Sequence, residues 1–509
     1  MAPLNLTFGV ELEFLCVYPP GCFDTCVPNI KEIFEDSDGV MRAAGPAIFH
    51  ALQRAGIPAT GHESLDDEYT DAPSHSRWRV EGDCCDLSQQ EAEVIPEGFQ
   101  VEDVELSSRK FDFFRDDWRS EIKAVLDNLA GLEASSKGCR FITNESTGFH
   151  VHIGNGDEKI PLRAAKNIFE LATAFERAFD LLNTAPRITP PSSDGAWFLY
   201  APPSFFHLHN GANVKSGYKA MLYDWLASIE ERETYEGLGS LFQVRDKEKF
   251  PYFSATVTHG HNSAYNFDNL FAAKGRYEAA LTKTIEFRGH TGTLDFLEIV
   301  TWVLLTMQMV KYGHEASDVN HLALCAHGVD LDFELRDVLS AIGCHPDVIA
   351  HYLNEEDMIA GILPNGGTAV AGSRAFEHFV PLAATNEDEQ LDRSGDAARK
   401  AVMDKKDYGF QSSANVVRIP VDAIAKLYQN SRLLGEVEKE KEKPWASEEY
   451  INSKAKFEVY RHLAKMYNGE FSEQVGADME FEGPCVSFQG VPDMMEDDPE
   501  MMELRNMGI

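Results

Sequence analysis

The sequence predicts an α/β chain in which strands with one apolar and one ionisable face alternate with amphipathic helices. Three observations predict it. Phe8 to Phe14, Gly148 to Gly154 and Thr282 to Arg288 alternate with a period of two, and successive side chains of a strand point to opposite faces. Trp118, Ile122, Val125, Leu126 and Leu129 recur at helical spacing, as do Phe169, Ala172, Phe175, Phe179 and Leu182, the signature of helices with an apolar stripe. A 43% apolar composition over 509 residues supplies a large core.

In the first strand Phe8, Val10, Leu12 and Phe14 share one face while Glu11 and Glu13 share the other. The Pro-, Gly- and Asp-rich run from Tyr18 to Gly39 predicts a loop, and Val40 to Ala55 a helix stopped by Gly56 and Pro58. After the polar stretch Glu63 to Ser76 come a strand at Trp78 to Asp83, with Arg79, Glu81 and Asp83 on one face, and a poorly alternating one at Val101 to Ser107. Phe113 to Ala130 predicts a helix closed by Gly131. Cys139 to Asn144 reads as a strand that turns at Glu145 to Thr147 into the second alternating strand, where Phe149, Val151 and Ile153 oppose His150 and His152.

Pro161 opens a long helix and Pro186 lies just past its end. The Pro-rich segment from Ile188 to Asn213 carries His207 and His209, and His259 and His261 follow; loop histidines of this kind are more often unliganded than not. Tyr265 to Leu270 precedes the third strand, where Ile285 and Phe287 oppose Thr284, Glu286 and Arg288. The turn His290 to Thr293 leads into a helix from Leu294 to Lys311, with Thr293 available as its cap. The apolar run Phe296 to Val310 is too short to span a bilayer and contains Glu298, so it reads as a buried helix. From Ala316 onward Leu331 to Ile342, Pro346 to Asn354, Val421 to Leu433 and Ser447 to Tyr467 predict helices, with a Gly-rich link at Gly361 to Gly372 and a charged stretch from Asp388 to Lys406. Glu436 to Lys443 reads as a solvated segment, and the acidic run beyond Gly469 as a disordered tail.

A half-buried strand alternates even when its polar face is merely wet. Here, however, three strands place mostly Glu, His and Arg on that face. Carboxylates and imidazoles gathered on one surface repel or compete unless cations lie between them, and hard oxygen donors favour Mg2+ or Mn2+. An arginine beside them suits a phosphate, whose oxygens match its planar fork.

The order Glu-x-Glu-Phe, Gly-x-His-x-His and Ile-Glu-x-Arg resembles the glutamine synthetase and glutamate-cysteine ligase superfamily. More closely, FGVELEFL, TGFHVHIG and TIEFRGHTGTLD resemble the amidoligase family of fungi and bacteria. The resemblance covers roughly residues 5–313. It implies a curved, largely antiparallel, glutamine-synthetase-like sheet whose polar face forms an active-site funnel, with helices on the outer face. It implies ATP-dependent joining of a carboxylate to an amine through an acyl phosphate. Glu11, His150 and Glu286 match the ligands of the metal on the nucleotide phosphates, and Glu13, with Glu105, matches the ligands of a second metal near the acceptor carboxylate. Arg288 matches the arginine on the transferred phosphoryl group. His152 shares the metal-facing side, either to contact phosphate or to order its neighbour, and Asp83 is the candidate base for the amine. Two departures stand out: Cys85 replaces a usual Ser, and Asn144 to Thr147 replaces the loop that holds glutamate in glutamine synthetases. They motivate an alternative reading, a non-catalytic nucleotide- or metal-binding descendant, and a metal-dependent hydrolase is a third.

The expected organisation is a catalytic domain over 1–315, a helical extension over 316–468 and the acidic tail over 469–509. A formal net charge of -37 and a pI near 4.8 argue against a nucleic-acid partner. Small-molecule or peptide carboxylate and amine substrates are expected instead, with ATP as co-substrate and no membrane. Nine scattered cysteines, an odd number without Cys-x-x-Cys spacing, do not form a disulfide framework. With no signal-peptide pattern at the N-terminus, they point to a reducing, cytoplasmic setting.

Overall fold

A computed structural model describes residues 3–24, 43–61, 76–83, 85–188, 222–239, 241, 264–270, 282–353, 397–404, 419–441 and 446–467. Most of the expected loop after the first strand, nearly all of the polar stretch before Trp78, His207, His209, His259, His261, the Gly-rich link and the acidic tail lie outside the described residues.

The centre of the fold is β1 (Leu6–Tyr18), thirteen residues long, flanked in chain order by β2 (Ala59–Thr60), β3 (Trp78–Glu81), β4 (Gln100–Ser107), β5 (Phe111–Asp112), β6 (Arg140–Ile142), β7 (Gly148–Asn155), β8 (Tyr265–Asn266) and β9 (Ile285–Thr291). These nine strands form one open sheet in the order β2-β3-β4-β1-β7-β9-β8, with β5 and β6 pairing β1 beside that path. Every pairing is antiparallel except β2 with β3. The mixed α/β, mostly antiparallel architecture is the one the sequence predicts.

One face of the sheet is the core face. Phe8, Val10, Leu12 and Phe14 of β1, Phe149, Val151 and Ile153 of β7, and Ile285 and Phe287 of β9 are all buried there. Each such side chain contributes about 1.5–3 kcal/mol through removal from water. Helices cover this face: α1 (Ala44–Arg54), α3 (Trp118–Ser135), α4 (Leu162–Ala174) and α6 (Phe296–Glu315), with α2 (Gln89–Val94) and α5 (Leu222–Glu230) between them in sequence. The stripe predicted for α3 is buried throughout, and Trp118 meets Phe8 edge to face at 5.2 Å.

Several boundaries differ from the sequence reading. Helix α3 starts after Asp117, whose side chain accepts the Ser120 N–H, and runs through Gly131 to Ser135; a mid-helix glycine with open space around it costs too little to end it. The helix after Pro161 breaks at Phe175. Helix α6 is capped by Asp295, not Thr293: its carboxylate accepts the N–H groups of Leu297 and Glu298, while the Thr293 hydroxyl accepts from Asp295 itself. Short α2 was not foreseen, although Ser88 and Glu91 form a reciprocal capping box at its start.

Further helices follow, among them α7 (Asp318–Cys325), α8 (Val421–Lys441) and α9 (Glu448–Tyr467), with shorter ones at Leu335–Ala341 and Pro346–Tyr352 where the sequence predicts helix. Helix α8 continues into Glu436–Lys441, beyond the expected end at Leu433. Ile424, Tyr428, Val459, Tyr460 and Leu463 from α8 and α9 join the same core as the sheet. Docking of α9 also closes a buried group of charges. Lys456 donates to Glu170 at 2.8 Å and to Asn167 at 2.8 Å, and it pairs with Glu230. Lys166 faces Glu230 at 3.4 Å and Ser453 at 2.6 Å, while Tyr460 and His321 each lie 2.9 Å from Glu170. No helix among the described residues is long and apolar enough to cross a membrane.

Candidate active site on the polar face

The opposite face of the sheet carries the ionisable groups, and strand register brings them together. Antiparallel pairing sets Glu11 across from His150, Glu13 across from Glu105, and His152 across from Glu286. Directly opposed residues lie on the same face with close Cβ atoms, so residues far apart in sequence converge without help from loops.

His150 is at the middle. Its Nδ1 lies 3.1 Å from Glu11, 3.3 Å from Glu13 and 3.7 Å from Glu286, and the side chain is 1% exposed. His152 Nε2 is 2.9 Å from Glu11 and 3.8 Å from Glu286. Arg288 is paired with Glu286 and lies 3.4 Å from His150 Nδ1. On the far side Asn266 donates to the second oxygen of Glu286 at 2.6 Å.

Burial by itself would raise Glu11, but His152 and His150 outweigh it and hold the carboxyl well below the usual range. Glu286 is likewise opposed by its burial and brought down to about 2, chiefly by Arg288. Burial lowers His152, yet Glu11 and Glu286 push it up to about 9, so it is cationic at neutral pH. Glu105 goes the other way, up to about 8, through burial first and then the charge of Glu11. Its Oε1 accepts the Ser107 hydroxyl at 2.7 Å. The face thus carries more carboxylate than its own cations can neutralise.

A second subgroup forms around Glu13. The segment after β3 is pinned by Ser146, whose hydroxyl accepts the Asp86 N–H at 3.1 Å and lies 2.9 Å from the Asp86 carbonyl oxygen. Asn144 adds a bond to Glu91 at 2.8 Å. This hold places Cys85 over Glu13 and Asp83, and Leu87, Ile95 and Phe99 of the same segment pack on Leu15, Val17 and Ile142 to close that end of the polar face. Glu105 sits opposite Glu13, but the tight donor grouping is Glu13, Asp83 and Cys85. Asp83, expected as a base, is therefore among the donors.

Sequence reasoning missed Arg187, Asn266 and the part played by Cys85. Arg187 is buried, donates to the Thr147 carbonyl, and lies close enough to Glu13, Arg288, Cys85 and Asp83 to feel their charges. Its own ionisation is lowered, by burial above all. The only signal for it in the sequence was its place just before the Pro-rich segment. Gly148 is required here: a Cβ would collide with His150 Nε2 and stand 2.9 Å from Glu13 Oε2 and 3.0 Å from an Arg187 nitrogen. A cavity lined by Glu176, Asp180, Arg187, Tyr265 and Trp302 lies against Gly289 and shares only Arg187 with this site.

The donor chemistry fits divalent cations. One ligand atom each from Glu11, His150 and Glu286 falls within 4.8 Å of the other two, as with Glu13, Asp83 and Cys85. The buried Nε2 of His150 has no hydrogen bond among the described residues, a cost of about 1–3 kcal/mol that a bound ion would remove. Fold and site together define an α/β protein whose mostly antiparallel sheet gathers carboxylates, imidazoles and arginines on one face. Residues 4–189 match the family model described as "Putative amidoligase enzyme", the family the motifs resemble. That family description gives a ligase-like, amide-bond-forming function at the family level. The matched segment is roughly a third of the chain and holds Glu11, Glu13, Asp83, Glu105, His150 and His152. Glu286 and Arg288 lie outside it and reach the same site through β9 pairing with β7. No curated protein matches the chain.

Proposed function

We propose that the protein is an ATP-dependent carboxylate-amine ligase and that its polar sheet face is the floor of a glutamine-synthetase-like funnel. The carrying observation is the convergence of Glu11, Glu13, Glu286, His150, His152 and Arg288 from three paired strands. A carboxylate is a poor electrophile. Its attack on the terminal phosphoryl of ATP gives an acyl phosphate and ADP, and attack by an amine then forms the amide and releases phosphate.

Glu11, His150 and Glu286 would hold Mg2+ or Mn2+ on the phosphate side, and Glu13 with Glu105 or Asp83 on the acceptor side. The ions supply charge neutralisation for phosphoryl transfer. Arg288, fixed by Glu286, presents its remaining N–H groups to the transferred phosphoryl oxygens. His152, cationic through Glu11 and Glu286, adds a second positive group beside them. Asp83 takes the proton the amine loses as the amide forms. The buried walls around His150 exclude the water that would hydrolyse the acyl phosphate.

The test is phosphate release from ATP and Mg2+ with pools of carboxylates and amines, wild type beside Glu286→Ala. Release that needs both pools and vanishes in the variant supports the ligase. Release without amine favours a hydrolase, and tight ATP binding without release favours the non-catalytic descendant.

A further inference from the structure

Cys85 gives one end of the polar face a donor of a different kind. Its Sγ lies 3.2 Å from Asp83 Oδ2 and 3.7 Å from Glu13 Oε2. Glu13 and Asp83 reach it from β1 and from the residues that follow β3, while the Ser146 and Asn144 bonds to the 86–91 segment fix the thiol in place. An independent feature points to the same space. His150 is fully enclosed, its Nε2 lacks a hydrogen bond among the described residues, and that nitrogen and Glu13 Oε2 both crowd the side of Gly148 where a Cβ would stand. An orphaned imidazole nitrogen thus stands beside Glu13, at the edge of this group. The thiol and the two carboxylates make a donor set typical of borderline-soft ions rather than of Mg2+.

We propose that Glu13, Asp83 and Cys85 form a thiolate-containing cation site that selects Zn2+ or a similar ion over Mg2+. The proposal refines the acceptor side of the ligase reading and rests on it for the ion's purpose, not for its binding. On uptake the S–H bond breaks heterolytically, the proton passes to solvent and the sulfur–metal bond forms, with no change of oxidation state. Two carboxylates and a thiolate beside Arg187 are balanced by one divalent ion, whereas a Ser at position 85 would leave the set one charge short. Three protein donors leave a fourth tetrahedral position open, suited to a carboxylate oxygen of the acceptor.

The experiment adds cobalt(II), which reports thiolate ligation by an intense near-ultraviolet charge-transfer band, to the metal-stripped full-length protein. The expected result is a band that saturates at one equivalent, is displaced by zinc, withstands excess Mg2+, and disappears in Cys85→Ser with circular dichroism and melting retained. Asp83→Asn keeps the thiol and is expected to weaken cobalt binding on the order of tenfold or more. No band, a band that persists in Cys85→Ser, displacement by Mg2+ at similar concentration, or unaltered cobalt affinity in Asp83→Asn overturns the site. Phosphate release, measured in parallel, answers separately for the ligase reading: a band without release keeps the site and removes the ligase.

Discussion

Two groups of buried charges in this molecule have opposite logic. Around Lys456 two carboxylates, Glu170 and Glu230, meet two ammonium groups, Lys456 and Lys166, with Tyr460, Ser453 and Asn167 supplying further hydrogen bonds. On the sheet face the carboxylates of Glu11, Glu13, Asp83 and Glu286 outnumber Arg288, Arg187 and His152, with Glu105 beside them pushed up to about 8. The first group is neutral as it stands and reads as a fastening between α9 and the core. The second is left negative by the fold itself, which is the condition for recruiting cations from outside.

The largest expected effect breaks the second group. Arg288→Ala should lower phosphate release per folded molecule about 10³-fold or more, some 4 kcal/mol of transition-state stabilisation, with a stability cost because it unpairs the buried Glu286. A steady-state assay beside a thermal melt checks both. The mirror experiment breaks the first group: Lys456→Met strands the buried Glu170, leaves Glu230 with Lys166 alone, and should cost about 3–5 kcal/mol, read by denaturant unfolding, with phosphate release per folded molecule retained. A large activity loss in folded Lys456→Met would show that the two groups are not independent.

Cation addition sharpens the contrast. Mg2+ at a hundredfold excess over its dissociation constant should stabilise the wild type by about 2.7 kcal/mol, and Glu286→Gln should remove most of that gain in a melting titration. Lys456→Met should keep it.

A smaller effect concerns pH. Burial above all, and then the neighbouring Lys456, hold His321 well below its ordinary value, so it is neutral in the folded protein and takes up a proton on unfolding in acid. Its contribution is therefore whole above about pH 6.5, the unfolded value, and is lost as pH falls below it, at up to about 1.4 kcal/mol per pH unit. His321→Gln should flatten that part of the stability profile. Smallest of all, Arg79→Ala breaks a half-exposed pair with Glu81 and should change stability by less than about 1 kcal/mol.

The sheet-face group was legible in the sequence because a strand sorts its side chains with a period of two, so Glu11 with Glu13, His150 with His152 and Glu286 with Arg288 are paired before any tertiary structure is known. What the period cannot supply is register. That Glu11 faces His150, and that Glu105 faces Glu13 although its own strand alternates poorly, came only from the ladder. Cys85 and Arg187 were harder still, since each is positioned by irregular chain held through Ser146 and Thr147. The Lys456 group left no trace in the sequence: Lys456 sits in a helix whose other lysines are half-buried or exposed, and only packing shows which one is enclosed.

The span of that last contact bears on how the chain is made. Glu170 and Lys456 are 286 residues apart, so during synthesis the carboxylates of α4 and α5 emerge long before the ammonium they share. Until α9 leaves the ribosome, Glu230 has Lys166 and Glu170 has His321 as partners, but the ammonium that pairs with both is missing. Translation that stops short of residue 456 yields a polypeptide with the sheet-face residues complete but this corner lacking a buried cation, and so more open to proteolysis.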